Sequence, residues 1–218
     1  VSDLAQSLTR RIVGAYDSDS LSARARLKRW HAFAAAFPDI SRLSVLDLGG
    51  DARAWHDCPV RPKHVILVNI FAQEVEEPWM EAIVGDACDP DLELPAADLV
   101  YSNSVIEHVG GHWRRQRFAA TVRKTERYWV QTPNRYFPIE PHFLMPWVQH
   151  LPLAAQSALV AHWPVGNYGE MHDRERTLES ALDIELLSRA EMRFYFPGAE
   201  VRREKFLGLT KSLIAVKR

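Results

Sequence analysis

Short apolar runs bounded by turn residues dominate the middle of the chain, at 44–48, 64–68, 82–84, 98–101 and 128–130. Each has the length of a strand, and helical-looking sequence lies between several of them, the alternation that builds a parallel sheet. The first 37 residues instead predict helices. Leu4, Leu8 and Ile12 form one stripe, and Leu27, Trp30, Phe33 or Ala34, and Phe37 form another, with Asp17-Ser18-Asp19-Ser20 as a break and N-cap. Near the other end, Ser188 and Glu191 have capping-box spacing for a helix that stops at Pro197-Gly198. Strands then follow at 200–206 and 212–216, joined by 207–211, a connection short enough for an antiparallel hairpin.

Between these regular parts, 132–169 holds six prolines and many aromatics. It is too apolar for a solvent loop and too rich in proline for one helix, so it predicts an ordered insertion with a short helix starting near Pro146. Such an insertion either roofs a ligand crevice or packs as a satellite cluster on the sheet edge, and its composition suits both.

In a parallel sheet the ligand crevice lies beyond the carboxyl ends of the strands. The polar residues of this chain gather there: Asp47, Asn69, Asp86 and Ser102 stand at or just past strand ends. The first run closes on Asp47-Leu48-Gly49-Gly50, where glycine allows positive φ or close approach of backbone to a ligand.

The totals narrow the function without naming it. With 218 residues and no Pro/Ser/Gly linker, one domain (1–218) is expected. The 27 Lys and Arg nearly cancel the 28 Asp and Glu, so no overall field points to nucleic acid or a membrane surface. Cys58 and Cys88 have no partners at metal-ligand spacing and read as free thiols. No signal region or membrane-length apolar run is visible, which predicts a soluble cytoplasmic protein; the oligomeric state is not encoded legibly.

Four segments carry a resemblance: Val-Leu-Asp-Leu-Gly-Gly at 45–50, Val-Gly-Asp-Ala at 84–87, Asp-Leu-Val-Tyr-Ser-Asn-Ser-Val-Ile-Glu-His-Val at 98–109, and Gln-Thr-Pro-Asn at 131–134. With the closing segment 206–216, their order and spacing resemble the class I S-adenosylmethionine-dependent methyltransferases of the type-11, ubiquinone-methyltransferase-like group. The resemblance implies a Rossmann-like α/β sheet of seven strands, order 3-2-1-4-5-7-6, with the last strand antiparallel. It implies S-adenosylmethionine as cofactor. Gly49 and Gly50 would meet its methionine part, Asp47 its ammonium group and Asn69 the ribose. Asp86 and the Ala87 amide would hold the adenine, and Ser102 and Asn103 would line the methionine end. The chain departs from the family where Asp51 and Arg53 replace glycines of the usual turn and where Asn69 replaces the usual acid. A neutral amide loses the charge-assisted part of a ribose bond, about 1 kcal/mol.

Methyl transfer is an in-line displacement, so the protein must orient an acceptor and, for a hydroxyl, remove its proton. His108, just past the fourth strand, is the candidate base, against the simpler reading of a histidine that shapes the turn. His142, preceded by Glu140 and Pro141, and Asn134 and Tyr136 are candidate substrate contacts, against loop packing. His162, Tyr168 and His172 have no spacing that assigns them a role. No His-x-x-x-His pair or paired carboxylates of the metal-dependent catechol enzymes can be read, so no metal is expected. The run Trp113-Arg114-Arg115-Gln116-Arg117 reads as a solvated helix face, not a nucleic-acid patch. The expected reaction is methyl transfer to a small aromatic or amphipathic acceptor, chiefly on oxygen. A non-catalytic methyltransferase-like module stays open, supported by Asp51, Arg53 and Asn69. An NAD-binding oxidoreductase is disfavoured, because Asp51 and Ala54 stand where its fingerprint needs glycine.

Overall fold

In the computed structural model, residues 21–163, 178–179 and 181–218 are described; the stripe of Leu4, Leu8 and Ile12, the break at 17–20, Tyr168 and His172 lie outside them. The strands are β1 (Ser44–Leu48), β2 (His64–Asn69), β3 (Met80–Val84), β4 (Leu99–Asn103), β5 (Tyr128–Pro133), β6 (Ile139–Glu140), β7 (Met145–Pro146), β8 (Glu200–Phe206) and β9 (Leu209–Lys217). Seven of them form one sheet in the order β3-β2-β1-β4-β5-β9-β8. The first five pair in parallel, and β9 runs antiparallel to both β5 and β8. This is the α/β Rossmann-like sheet that the sequence resemblance implied.

Four helices are described: α1 (Leu21–Ala36), α2 (Gly111–Val122), α3 (Leu153–Val160) and α4 (Arg189–Tyr195). On one face of the sheet, Trp30, Phe33 and Phe37, in and just after α1, pack with Trp55, Tyr101 and Trp129 around Val45 and Leu67. On the other, Phe118 of α2 and Met192 and Tyr195 of α4 pack with Phe196 around Leu46, Leu48 and Val100. β1 is covered on both faces, which is why it reads as a continuous apolar run rather than an alternating one. Asp47 is the one polar residue inside that run.

The crossovers are leaner than expected. A 3-10 segment at Ala52–Asp57 is the only helical element between β1 and β2 among the described residues, and none stands between β2 and β3 or between β3 and β4. Pro59 and Pro62 in the first link, Pro78 in the second and Pro90 and Pro95 in the third remove backbone donors where a helix would need them. The closing hairpin is also tighter than expected. β9 starts at Leu209, so the turn is only Leu207 and Gly208, with φ of 47° and 82°. Positive φ at both central residues matches the right-handed twist of the flanking strands.

The insertion is ordered where it is described. A short 3-10 helix at Val148–His150 starts just past Pro146, as the sequence suggests, with Trp147 in the left-handed region as its N-cap, and the α-helix α3 then follows Pro152. Phe143, Met145, Val148 and Val160 form its own small core. The capping box at Ser188 and Glu191 is present as the spacing predicts.

Candidate functional site

A pocket of about 250 Å³ lies at the carboxyl ends of β1 to β4. Gly49 forms part of its wall with φ of +80°, and a β-carbon there would come within 2.6 Å of Val105. The pocket also takes in Asn69, Asp86, Ala87 and His108, four residues brought together from three separate links of the chain. Ile70 and Phe71, exposed at 59% and 71%, give it an apolar lip.

Asn69 works on the glycine turn itself. Its Nδ2 donates to the Gly50 carbonyl at 3.2 Å, and Gln73 Nε2 donates to the same oxygen at 2.7 Å. Gln73 Oε1 accepts from the Ala52 amide, so the turn that lacks the family's later glycines is clamped by side chains from beyond β2. Asp51 caps the following 3-10 segment by accepting from the Arg53 amide. Asp51, one of the departures from the glycine pattern, thus has a local role.

Asp86 accepts from the Cys88 amide at 2.9 Å and from Arg114 Nη2 at 2.7 Å. Partial burial pushes its carboxyl upward, but these bonds and the guanidinium charge outweigh it and hold the group below the usual carboxylate range. Arg114, from α2, therefore closes one side of the pocket. It is not a freely solvated member of a basic run, and neither is its neighbour Arg115, which is buried against Glu185.

Several expected residues stand elsewhere. Asp47 points to the α1 face of the sheet, where Trp55 Nε1 donates to its Oδ2 at 2.8 Å. Its carboxylate fills the space beside Gly50, where a β-carbon would come to 1.8 Å from Oδ2. Asp47 and Gly50 therefore build the turn from behind and do not line the pocket. Burial raises the Asp47 carboxyl to about 7, against the Trp55 bond and with the help of the Asp51 charge. Ser102 is buried and donates to the Leu48 carbonyl, joining β4 to β1. Asn103 accepts from Arg29 Nη1 at 2.8 Å, and the same guanidinium pairs with Glu204. Asn134 is spent on structure, donating to the Thr210 carbonyl at the hairpin, and Tyr136 is 63% exposed and stacked on His150. His162 bonds the Ala158 carbonyl at the end of α3.

His108 and His142 do meet. Their Nε2 atoms are 3.1 Å apart, and His142 Nδ1 lies 2.6 Å from Glu140 Oε1. Glu140 is itself fixed, its Oε2 accepting from the amides of His142 and Phe143. Packing around His108 and the His142 charge hold the first imidazole below its ordinary range. Burial works against His142 as a cation, but Glu140 and the Glu107 charge raise it overall. Glu107, buried beneath the pair, accepts from Thr132 Oγ1 at 2.9 Å, and burial raises its carboxyl. Ser104 leaves β4 with φ of 57° and bonds Gln131, a strained turn that carries the chain from the sheet to Glu107 and His108.

A second cavity, of about 520 Å³, opens on the insertion side between Arg135, Glu140, Phe143, Gln149, Leu153 and Glu185. His108 belongs to the strand-end pocket and Glu140 to this one, so the imidazole pair stands between them. Glu140 and Glu107 were within reach of sequence reasoning, as each is close to a histidine already singled out. Arg114 and Gln73 had no local signal.

No family model and no curated protein matches the chain. Solved structures do. An S-adenosylmethionine-dependent methyltransferase from Mesorhizobium loti superposes with a TM-score of 0.54 at 14% identity, covering 87% of this chain and 97% of that one. The methyltransferase domain of bacterial CtHen1 gives 0.51 at 14% identity over 88% and 98%, and the N-terminal domain of EvdMO1, in the presence of S-adenosylhomocysteine and D-fucose, gives 0.51 at 15% over 92% and 85%. The fold is that of the S-adenosylmethionine-dependent methyltransferases.

Proposed function

We propose that this chain transfers a methyl group from S-adenosylmethionine to an oxygen of a small aromatic or amphipathic acceptor, in the manner of the type-11 group its motifs resemble. The observation that carries the proposal is the imidazole pair standing between two cavities, one at the strand ends and one under the insertion. The fold of the structural neighbours supports the choice of cofactor.

The strand-end residues suit an adenosyl group. Gly49 leaves bare backbone, Asn69 offers an amide, Asp86 offers a carboxylate that can accept from an exocyclic amine, and Ile70 and Phe71 offer apolar cover. When bound, the sulfonium supplies a methyl carbon already activated for displacement. The chain's own work is then to hold the acceptor oxygen in line with that carbon and to draw off its proton. His108, at the pocket, faces the acceptor, while Glu140 fixes the ring of His142 behind it. Asp47, Ser102 and Asn103 act by shaping the strand ends that carry these groups.

The experiment is methyl transfer from labelled S-adenosylmethionine to a panel of phenolic and amphipathic alcohols, run with the native chain and with His108→Ala. Transfer by the native chain that falls at least tenfold in the variant, with S-adenosylhomocysteine binding retained, supports the reading. Cofactor binding with no transfer to any acceptor would instead favour a binding module that keeps the fold without the reaction.

A further inference from the structure

We propose that Glu107, His108 and His142 form a binding site for a divalent transition-metal ion beside the strand-end pocket. One donor atom from each of the three lies within 4.8 Å of the others. The two imidazole nitrogens, 3.1 Å apart, already have the spacing of two cis ligands. With metal–nitrogen bonds of about 2.1 Å that separation corresponds to an angle of about 95° at the ion. The carboxylate oxygen, within 4.8 Å of the imidazole nitrogens, closes by at most about 1–2 Å to join them as a ligand.

The surroundings of each donor point the same way. Metal-ligating side chains characteristically have their other polar atom held by a partner that fixes orientation. His142 has Nδ1 held by Glu140, and the Asp183 backbone bears on His108. Glu107 has Oε2 held by Thr132, while its Oε1 is buried with no hydrogen-bond partner. A buried carboxylate oxygen left without a partner is costly, and an ion satisfies it. Two imidazoles and one carboxylate suit Mn, Fe, Co, Ni or Zn better than Mg or Ca, and three protein ligands leave coordination positions open. The donors come from the turn after β4 and from the insertion, 34 positions apart between His108 and His142. Local spacing, on which the expectation of no metal rested, could not reveal such a set.

The ion would deepen the methyl-transfer reading, and its role in catalysis rests on that reading. With the ion bound, His108 Nε2 is a ligand and no longer the base, and an acceptor hydroxyl placed in an open position loses its proton to solvent instead, because the ion stabilises the resulting oxyanion. The oxygen lone pair then forms the new O–C bond as the C–S bond breaks and its electrons return to sulfur, leaving a methyl ether and a thioether. Acceptors with two adjacent oxygens fit best, since they can fill two open positions at once.

The test is titration of the folded, chelator-treated chain with Co²⁺, followed by visible absorption and calorimetry. One equivalent is expected, with ligand-field bands that vanish in His142→Ala and an affinity at least tenfold weaker in Glu107→Gln. If His142→Ala fails to fold by circular dichroism, His108→Ala takes its place. No uptake by the folded native chain, or uptake that these substitutions leave unchanged, overturns the site. Titration of the same metal-free protein with S-adenosylhomocysteine separates the two readings. Co²⁺ uptake without cofactor binding keeps the metal site and overturns methyl transfer, and cofactor binding without Co²⁺ uptake does the reverse.

Discussion

The Nε2 atom of His108 stands 3.1 Å from that of His142, although one follows the fourth strand of the sheet and the other belongs to the insertion. The contact ties the insertion to the strand ends at the place where the two cavities approach each other. It gives the insertion a role beyond covering the sheet edge, because Glu140, which orients His142, also lines the second cavity.

Gly50→Ala should damage the turn from behind. Its β-carbon would come to 1.8 Å from Asp47 Oδ2, and that carboxylate is held by Trp55 in a fully packed region. Overpacking of this kind costs about 1–3 kcal/mol. Urea denaturation should show a loss in that range, with weaker binding of S-adenosylhomocysteine; an unchanged midpoint would show that the turn relaxes freely.

Asp47 should give the protein an unusual pH profile. Its carboxyl titrates near 3.8 when unfolded and at about 7 when folded. Between those values the unfolded chain has lost a proton that the folded chain keeps, so stability falls as pH rises through the window and levels off above it. The slope contributed is at most about 1.4 kcal/mol per pH unit. Denaturation midpoints of Asp47→Asn measured from pH 4.5 to 7.5 should lack this component; parallel profiles for the two proteins would contradict the assignment.

The Arg114–Asp86 pair should matter to ligand binding more than to folding. Both side chains are partly exposed, at 47% and 36%, so the pair is worth less than about 1 kcal/mol of stability. Asp86→Ala should weaken S-adenosylhomocysteine binding by at least tenfold, as expected for loss of a charged acceptor. Arg114→Gln frees that carboxylate and should strengthen binding. Calorimetry on both variants checks the pair, and equal losses in the two would mean that Arg114 itself holds the ligand.

Ser188→Ala should cost about 1 kcal/mol, the usual value of an N-cap, because Ser188 accepts from the Glu191 amide while Glu191 reaches back to the Ser188 amide. Thermal denaturation measures it, and an unchanged melting temperature would show that packing of α4 alone fixes its start.

The sheet was legible because its signals are local. Continuous apolar runs such as 44–48 and 64–68 have a burial pattern that only central strands need, and Ser188 with Glu191 marks a helix start within four residues. The missing crossover helices were less legible. The sequence between the strands looks helical, while Pro78, Pro90 and Pro95 act through single lost donors. At the site, Gly49, Asn69, Asp86 and His108 could be placed because strand ends converge by topology. Asp47 could not, since the alternation of side chains in β1 turns it toward α1, and only Trp55 shows what receives it there. The meeting of His108 and His142 depends on how the insertion folds back, which no spacing in the sequence encodes.

The most direct measurement is calorimetric titration of the folded chain with S-adenosylhomocysteine. One site of micromolar strength, near about −8 kcal/mol, is the expected result, and it would show that the rebuilt turn at Gly49 and Gly50 with Asn69 and Asp86 holds the cofactor. No binding by a chain shown to be folded would contradict methyl transfer and leave a methyltransferase fold put to another use.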